Sequence, residues 1–337
     1  MHAHRLAIAL LSVAALGSSS AFPVVAATDY ENVTPGSYLG AVKLETVIPG
    51  DTVFSEGPAV DAQGIVFFTN IPAELILQWD PVTRSLSAIR YPSHKANGLR
   101  FDPAGHLIAC EGGSQRLTRT DLETGLVVVL ADAFRNFPLA SPNDVDFDAH
   151  GRLYFSSRPG VSDPAKGNVN AVYRLDPNGS LHQVLRYPDV HMPNGLVVSP
   201  DNSTLYLIEA HPDANHHRDI RAYPIEDSGA LGAPRIVHDF YPGRSGDGMC
   251  IDEQGNLYVA AGLHATRNTS ETLATKPGIH VISPTGKLLD YVETPVDTIT
   301  NCTFGGADLK TLYITCGSQL LSLRTTKPGK ASYRPTR

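Results

Sequence analysis

The chain is poor in cysteine, tryptophan and methionine, with four, one and three of them among 337 residues. Four cysteines are too few to staple a fold of this length, so a disulfide-dense scaffold is excluded and an apolar core must carry stability. Aromatic residues make up only 7%, which argues against a scaffold built from broad aromatic docking patches. Positive charge is not in excess either: Lys and Arg total 27 against 34 Asp and Glu, a formal charge of −7. No basic face is evident, which excludes a protein that grips nucleic acid. No apolar run approaches the roughly 20 residues of a membrane-spanning helix. Helical periodicity is nearly absent.

What is present is an apolar fraction of 42% with 29 Gly and 25 Pro, the composition of a globular, turn-rich chain. Residues 1–27 read as a secretory signal. His2, His4 and Arg5 give a weakly basic start, Leu6–Gly17 an apolar run, and Val24–Ala27 a small-residue cleavage site. The mature protein is therefore expected to be exported, periplasmic or secreted, with no membrane attachment after cleavage. Its oligomeric state is not readable.

One short pattern recurs down the rest of the chain: an acidic or amide residue, a strand, a tight turn and a second strand. The leading residues are Glu56, Asn97, Asn143, Asn194, Asp247 and Asn301, separated by 41, 46, 51, 53 and 54 positions. The turn residue follows eight positions later: Gly64, Gly105, Gly151, Asn202, Gly255 and Leu309. A second hairpin completes each unit, as in Leu75–Asp80 with Leu86–Ile89. Four strands per unit at this period describe a β-propeller blade. The fold expected is all-β: a six-bladed β-propeller with four-stranded blades around a central metal-binding channel. Residues 51–325 form it and 326–337 are a tail. The sixth unit is one strand short, and residues 28–50, through Ala41–Ile48, can supply that strand and close the ring. Two β-sandwiches would not put six copies in one phase.

In a propeller the first strand of each blade lines the channel. The six leading residues are therefore expected at one height around its mouth. Asn-Gly and Asp-Gly are ordinary turn dipeptides, but here the blade turn comes eight residues later, so turn chemistry does not explain the set. Two carboxylates and four amides converging in a semi-buried hole would repel or go unsatisfied. A divalent cation resolves both problems. Oxygen donors without thiolate or imidazole favour Ca²⁺, with Glu56, Asn143, Asn194 and Asp247 as ligands and Asn97 and Asn301 in support. Cys302 and Cys316 fall opposite each other if the last turn centres near position 309, which suggests a cross-strand disulfide. Cys110 and Cys250 read as buried thiols. His211, His216 and His217 with Asp213 and Asp219 match no standard metal spacing and read as a polar loop.

The ordered set Ser55-Glu-Gly-Pro58, Ala109-Cys-Glu-Gly112, Ser141-Pro-Asn-Asp-Val145, Pro193-Asn-Gly-Leu196, Gly246-Asp-Gly-Met249 and Thr300-Asn-Cys-Thr-Phe-Gly-Gly306 resembles the SMP-30/gluconolactonase family. That family includes gluconolactonases and regucalcin and, more distantly, diisopropylfluorophosphatase and paraoxonase. The resemblance implies a six-bladed propeller with one catalytic divalent cation. It matches Glu56, Asn194 and Asp247 to metal ligands, Asn143 to a residue touching metal or substrate, and Asp247 to the acid taken as base or nucleophile. The implied reaction is hydrolysis of sugar lactones and related esters, or of organophosphates in relatives. Three departures concern substrate loops: Ser156–Gly160 after the third inner hairpin, Ser141 where regucalcins carry arginine, and an insertion at Leu263–Lys276.

The expected function is thus metal-dependent hydrolysis of a lactone, a small-molecule substrate. Asp247 is the leading base, with His191 and His264 as second candidates. Asn97, Glu111, Asn143 and Arg158 are expected to contact substrate. The alternatives are an aryl-ester or organophosphate hydrolase, and an exported propeller that binds sugar or metal without chemistry.

Overall fold

Six turns of one design organise the chain. In each, the backbone N–H of the fourth residue donates to the carbonyl of the first: Gly64 to Asp61, Gly105 to Asp102, Gly151 to Asp148, Asn202 to Ser199, Gly255 to Asp252 and Leu309 to Gly306. The fourth residue has a positive φ in every copy, including Asn202 at 60° and Leu309 at 54°. The aspartate that opens four of them caps its turn by accepting backbone N–H groups two and four residues on, as Asp102 does from Ala104 and His106 at 2.9 Å each. A short side chain that bonds its own turn is the reason aspartate is favoured there.

The computed structural model describes residues 28–159 and 169–330. The signal segment expected at 1–27 and the residues from 331 onward lie outside them. Among the described residues the strands form six four-stranded antiparallel sheets, the blades of a β-propeller, and one two-stranded ribbon, Ala133–Phe134 with Phe137–Pro138. The inner strands are Ser55–Val60, Ala96–Phe101, Pro142–Phe147, Pro193–Val198, Gly246–Ile251 and Ile299–Gly305. These are buried almost throughout, whereas outermost strands such as Ser85–Arg90 and Val127–Ala131 are largely open. The core lies between neighbouring blades. Ile208, Val259 and Ile282 of blades four and five share one cluster, and Tyr258, Phe304 and Ile314 of blades five and six another. Each such aliphatic or aromatic side chain contributes roughly 1.5–3 kcal/mol on burial.

The sixth sheet takes its outermost strand from the other end of the chain. Lys43–Val47 pairs antiparallel with Gln319–Arg324, which removes an open sheet edge. The preceding segment is anchored on blade five. Asp290 Oδ2 accepts the N–H groups of Tyr38 and Leu39 at 2.7 and 2.9 Å, and the Tyr30 hydroxyl lies 2.8 Å from His280 Nε2.

Residues 326–330, read from sequence as the start of a tail, pack under the end of the channel remote from the leading residues. Lys330 N–H donates to Ile251 O, and the Lys330 side chain turns inward. Its Nζ donates to Val198 O at 2.8 Å and to Phe147 O and Asp146 Oδ2 at 3.4 Å. Arg100 Nη2 meets the other Asp146 oxygen at 2.7 Å.

The Cys302–Cys316 pairing is corrected. The last turn spans Gly306–Leu309, so Cys302 faces Ile314 and Cys316 faces Ile299. All four cysteines are free and buried.

Candidate active site

Every inner strand carries a break in its pairing near the leading residue. In blades two to five the leading residue and its successor lie together opposite a single residue of the second strand. Pro193 pairs with Glu209 and Leu196 with Leu207, leaving Asn194 and Gly195 against Ile208. The same skip occurs at Asn97, Asn143 and Asp247, and just after Glu56. A bulge of this kind re-aims a side chain out of the sheet. It also brings neighbouring inner strands so close that a Cβ on Gly195 would lie 2.6 Å from Asp247 O, and one on Gly248 would strike the Asn301 amide. The Asn-Gly and Asp-Gly pairs therefore serve close inter-blade approach.

The sixth blade breaks the symmetry. Its extra residue is Thr300, and Asn301 pairs normally with Thr315. Asn301 lies against Gly248, the residue that follows Asp247. Its Nδ2 donates to Asp144 Oδ2 at 3.3 Å. Blades three and six lie opposite one another, so this bond spans the channel.

Glu56, Asp144 and Asp247 are buried near each other. Asn194 Nδ2 donates to Asp247 Oδ1 at 2.5 Å, and Arg244 Nη2 donates to Asp247 Oδ2 at 2.5 Å. Among the described residues Glu56 accepts only the Gly57 N–H, at 3.1 Å. Burial pushes the Glu56 carboxyl well above its ordinary range, and the negative charges of Asp247 and Asp144 add to this, while Arg158 acts in the opposite sense. Burial raises Asp144 to about 7 against its hydrogen bonds from Val145 and Asn301.

Asn143 is buried in the third bulge, and Asn97 is half-exposed in the second. Among the described residues no three His, Cys, Asp or Glu side chains converge closely enough to share an ion. The donor set at the mouth is of another kind: two carboxylates, Glu56 and Asp247, with the amides of Asn143 and Asn194. Such a set fits a hard, oxygen-seeking cation, and the like-charge stress on Glu56 is the feature that a cation would relieve.

The other expected site residues are engaged elsewhere. Glu111 is fully buried and bonded to Arg90, Arg116 and Thr118 at 2.5–2.6 Å. The expectation that it orients substrate is corrected, because its oxygens are spent on these partners. His264 Nε2 lies 2.8 Å from Thr294 O and its Nδ1 3.8 Å from Glu293, which seats it on the rim between blades five and six. His191 lies in the loop before Asn194, with its Nδ1 2.8 Å from His216 Nδ1.

Five supporting residues were not legible from the sequence. Arg244 also donates to the carbonyls of Gly262 and Ile299. Glu209, at the end of its strand, accepts the N–H groups of His191 and Met192 at 3.1 and 2.8 Å, fixing the chain that leads into Asn194. Asn70 and Ser157 do the same at Phe54 and Ser141. Arg218, 1% exposed, donates to the carbonyls of His211, Pro212 and Pro242 and to the Ser270 hydroxyl. It thereby clips the blade-five insertion to blade four.

A family model described as the SMP-30/Gluconolactonase/LRE-like region matches residues 54–318. The gluconolactonase of Zymomonas mobilis subsp. mobilis is 28% identical over 307 residues, covering 83% of this chain and 80% of that protein. Regucalcin of Oryctolagus cuniculus is 28% identical over 283 residues, covering 82% and 88%. The solved structure of a Xanthomonas campestris gluconolactonase superposes with a TM-score of 0.72 at 29% identity, covering 87% of this chain and 93% of that one. A family match over most of the chain, on a propeller whose inner strands bring Glu56, Asn194 and Asp247 to one mouth, places this protein in the SMP-30/gluconolactonase/LRE-like family.

Proposed function

We propose that the protein is a lactone hydrolase acting on a sugar lactone or related cyclic ester at the channel mouth. Glu56, Asn143, Asn194 and Asp247 would hold one divalent cation, Ca²⁺ by their all-oxygen chemistry. When bound, the cation supplies Lewis-acid polarisation of the lactone carbonyl and offsets the carboxylate charge. The observation that carries this reading is the meeting of Asn194 with Asp247 at 2.5 Å, across two blades, beside a Glu56 stressed by that same Asp247.

The chain's own groups divide the remaining work. Asp247 is the base that takes a proton from the attacking water. Its orientation is fixed by Asn194 on one oxygen and Arg244 on the other. His264 and His191 are poorer bases, since the first faces Thr294 and Glu293 and the second shares a proton with His216. Arg158, close enough to lower Glu56, and Asn97 would meet substrate hydroxyls. Export by residues 1–27 belongs to the same proposal.

The test is a pH-indicator assay on sugar lactones, aryl esters and phosphotriesters, run with Ca²⁺ and with EDTA. Lactone turnover that EDTA abolishes and Ca²⁺ restores is expected. Tight cation binding with no hydrolysis of any substrate would replace the hydrolase reading with that of a binding propeller.

A further inference from the structure

We propose that Cys250 and Cys302 are a disulfide-forming pair that bolts the inner strand of blade five to that of blade six close to the site. The two sulfurs lie 3.4 Å apart, although the residues are 52 positions apart in the chain. Cys250 stands three residues along its strand from Asp247, and Cys302 follows Asn301. A disulfide needs about 2.05 Å between sulfurs, so each side chain has well under 1 Å to travel. The other two cysteines are not alternatives. Cys110 sits in the second strand of blade two, and Cys316 faces Ile299 across its sheet rather than either member of the pair.

The chemistry is a thiol–disulfide exchange. Two S–H bonds break and one S–S bond forms. Two protons leave, and two electrons pass to a small-molecule disulfide such as oxidised glutathione, which becomes two thiols. Exchange requires a thiolate and access. Cys250 and Cys302 are 6% and 3% exposed, and burial pushes the Cys250 thiol up. The bond therefore closes as blades five and six come together, before their interface seals, and once closed it is shielded from reductant. A link over this span removes freedom from the unfolded chain. It would also hold the wall carrying Asp247 against the wall carrying Asn301.

The experiment uses the whole chain. Protein is unfolded and reduced, then refolded in a mixture of oxidised and reduced glutathione. Remaining thiols are alkylated in denaturant and the digest is mapped by mass spectrometry. A linked Cys250–Cys302 peptide pair is expected, with Cys110 and Cys316 alkylated. The melting midpoint should lie roughly 5 °C above that of protein refolded in dithiothreitol. Folded, reduced protein given the same glutathione mixture should stay unlinked. A Cys110→Ser, Cys316→Ser double variant should still form the bond, which keeps the result independent of damage from altering the pair. Four alkylated thiols after oxidative refolding, or a bond from Cys302 to Cys316, would overturn the proposal. Neither outcome bears on lactone hydrolysis.

Discussion

Arg244 and Asp247 form an ion pair at 2.5 Å in which each side chain is only 8% exposed. Three residues apart in a Gly- and Ser-rich stretch, they put a guanidinium behind the carboxylate read here as the base. Removing one partner of a buried pair strands the other's charge. Arg244→Met should lower unfolding free energy by about 3 kcal/mol and depress lactone turnover. Arg244→Lys should cost less in stability, because it keeps the charge while losing the planar contacts to Gly262 and Ile299. Urea titrations and initial rates on the two variants check this.

Glu56 is expected to show the opposite balance. Without a cation its charge faces Asp247 and Asp144 in a buried setting. Glu56→Gln should therefore raise the stability of the EDTA-treated protein by about 1 kcal/mol, a trade of function for stability. It should also erase the rise in melting temperature expected when Ca²⁺ is added to the parent. Paired melts in EDTA and in Ca²⁺ decide the point.

The two ends of the chain give a third prediction. Lys330 Nζ is held by Val198 O, Phe147 O and Asp146 at the far end of the channel. Lys330→Met keeps the buried stem and deletes the ammonium. It should destabilise by about 2 kcal/mol while leaving KM for a lactone unchanged. Deleting residues 28–48 should cost more, since it removes the outermost strand of blade six and the Tyr30 and Asp290 contacts. Denaturation midpoints and steady-state kinetics on both report the result.

His280 sets a pH dependence. Burial lowers it to about 3 from an ordinary 6.5. Below pH 6.5 the unfolded chain binds a proton that the folded chain refuses, so stability falls as pH drops from about 6.5 towards 3. At pH 5 the loss is about 2 kcal/mol, from 1.36 kcal/mol per pKa unit. His280→Gln should lose that much less between pH 7 and pH 5, measured by urea unfolding at both.

The legible and illegible parts of this molecule divide along a physical line. Features that recur once per blade can be read by phase. The six turn residues found by counting eight from each leading residue all have positive φ. Bulges cluster at the leading residues because the same strand geometry repeats. Features that depend on one blade's departure cannot be read this way. Thr300 carries the sixth bulge one residue early, so Asn301 keeps a direct partner in Thr315, and the turn at Gly306–Leu309 is centred before position 309, which moves Cys302 away from Cys316. Glu111 looked available because Arg90, its partner 21 positions back, belongs to another blade. Glu209 and Lys330 gave no signal, since what they hold is backbone, which any sequence supplies, and in the case of Lys330 also Asp146, a residue 184 positions away.

Under the proposed function, Glu56 and Asp247, with their neighbouring amides, share one divalent cation at the channel mouth. Calorimetric titration of Ca²⁺ into EDTA-stripped and dialysed protein decides whether they do. One ion per chain is expected for the parent protein, and no binding by Asp247→Asn or Glu56→Gln proteins that remain folded by circular dichroism. Absence of binding to the parent, or binding that survives both substitutions, would contradict it.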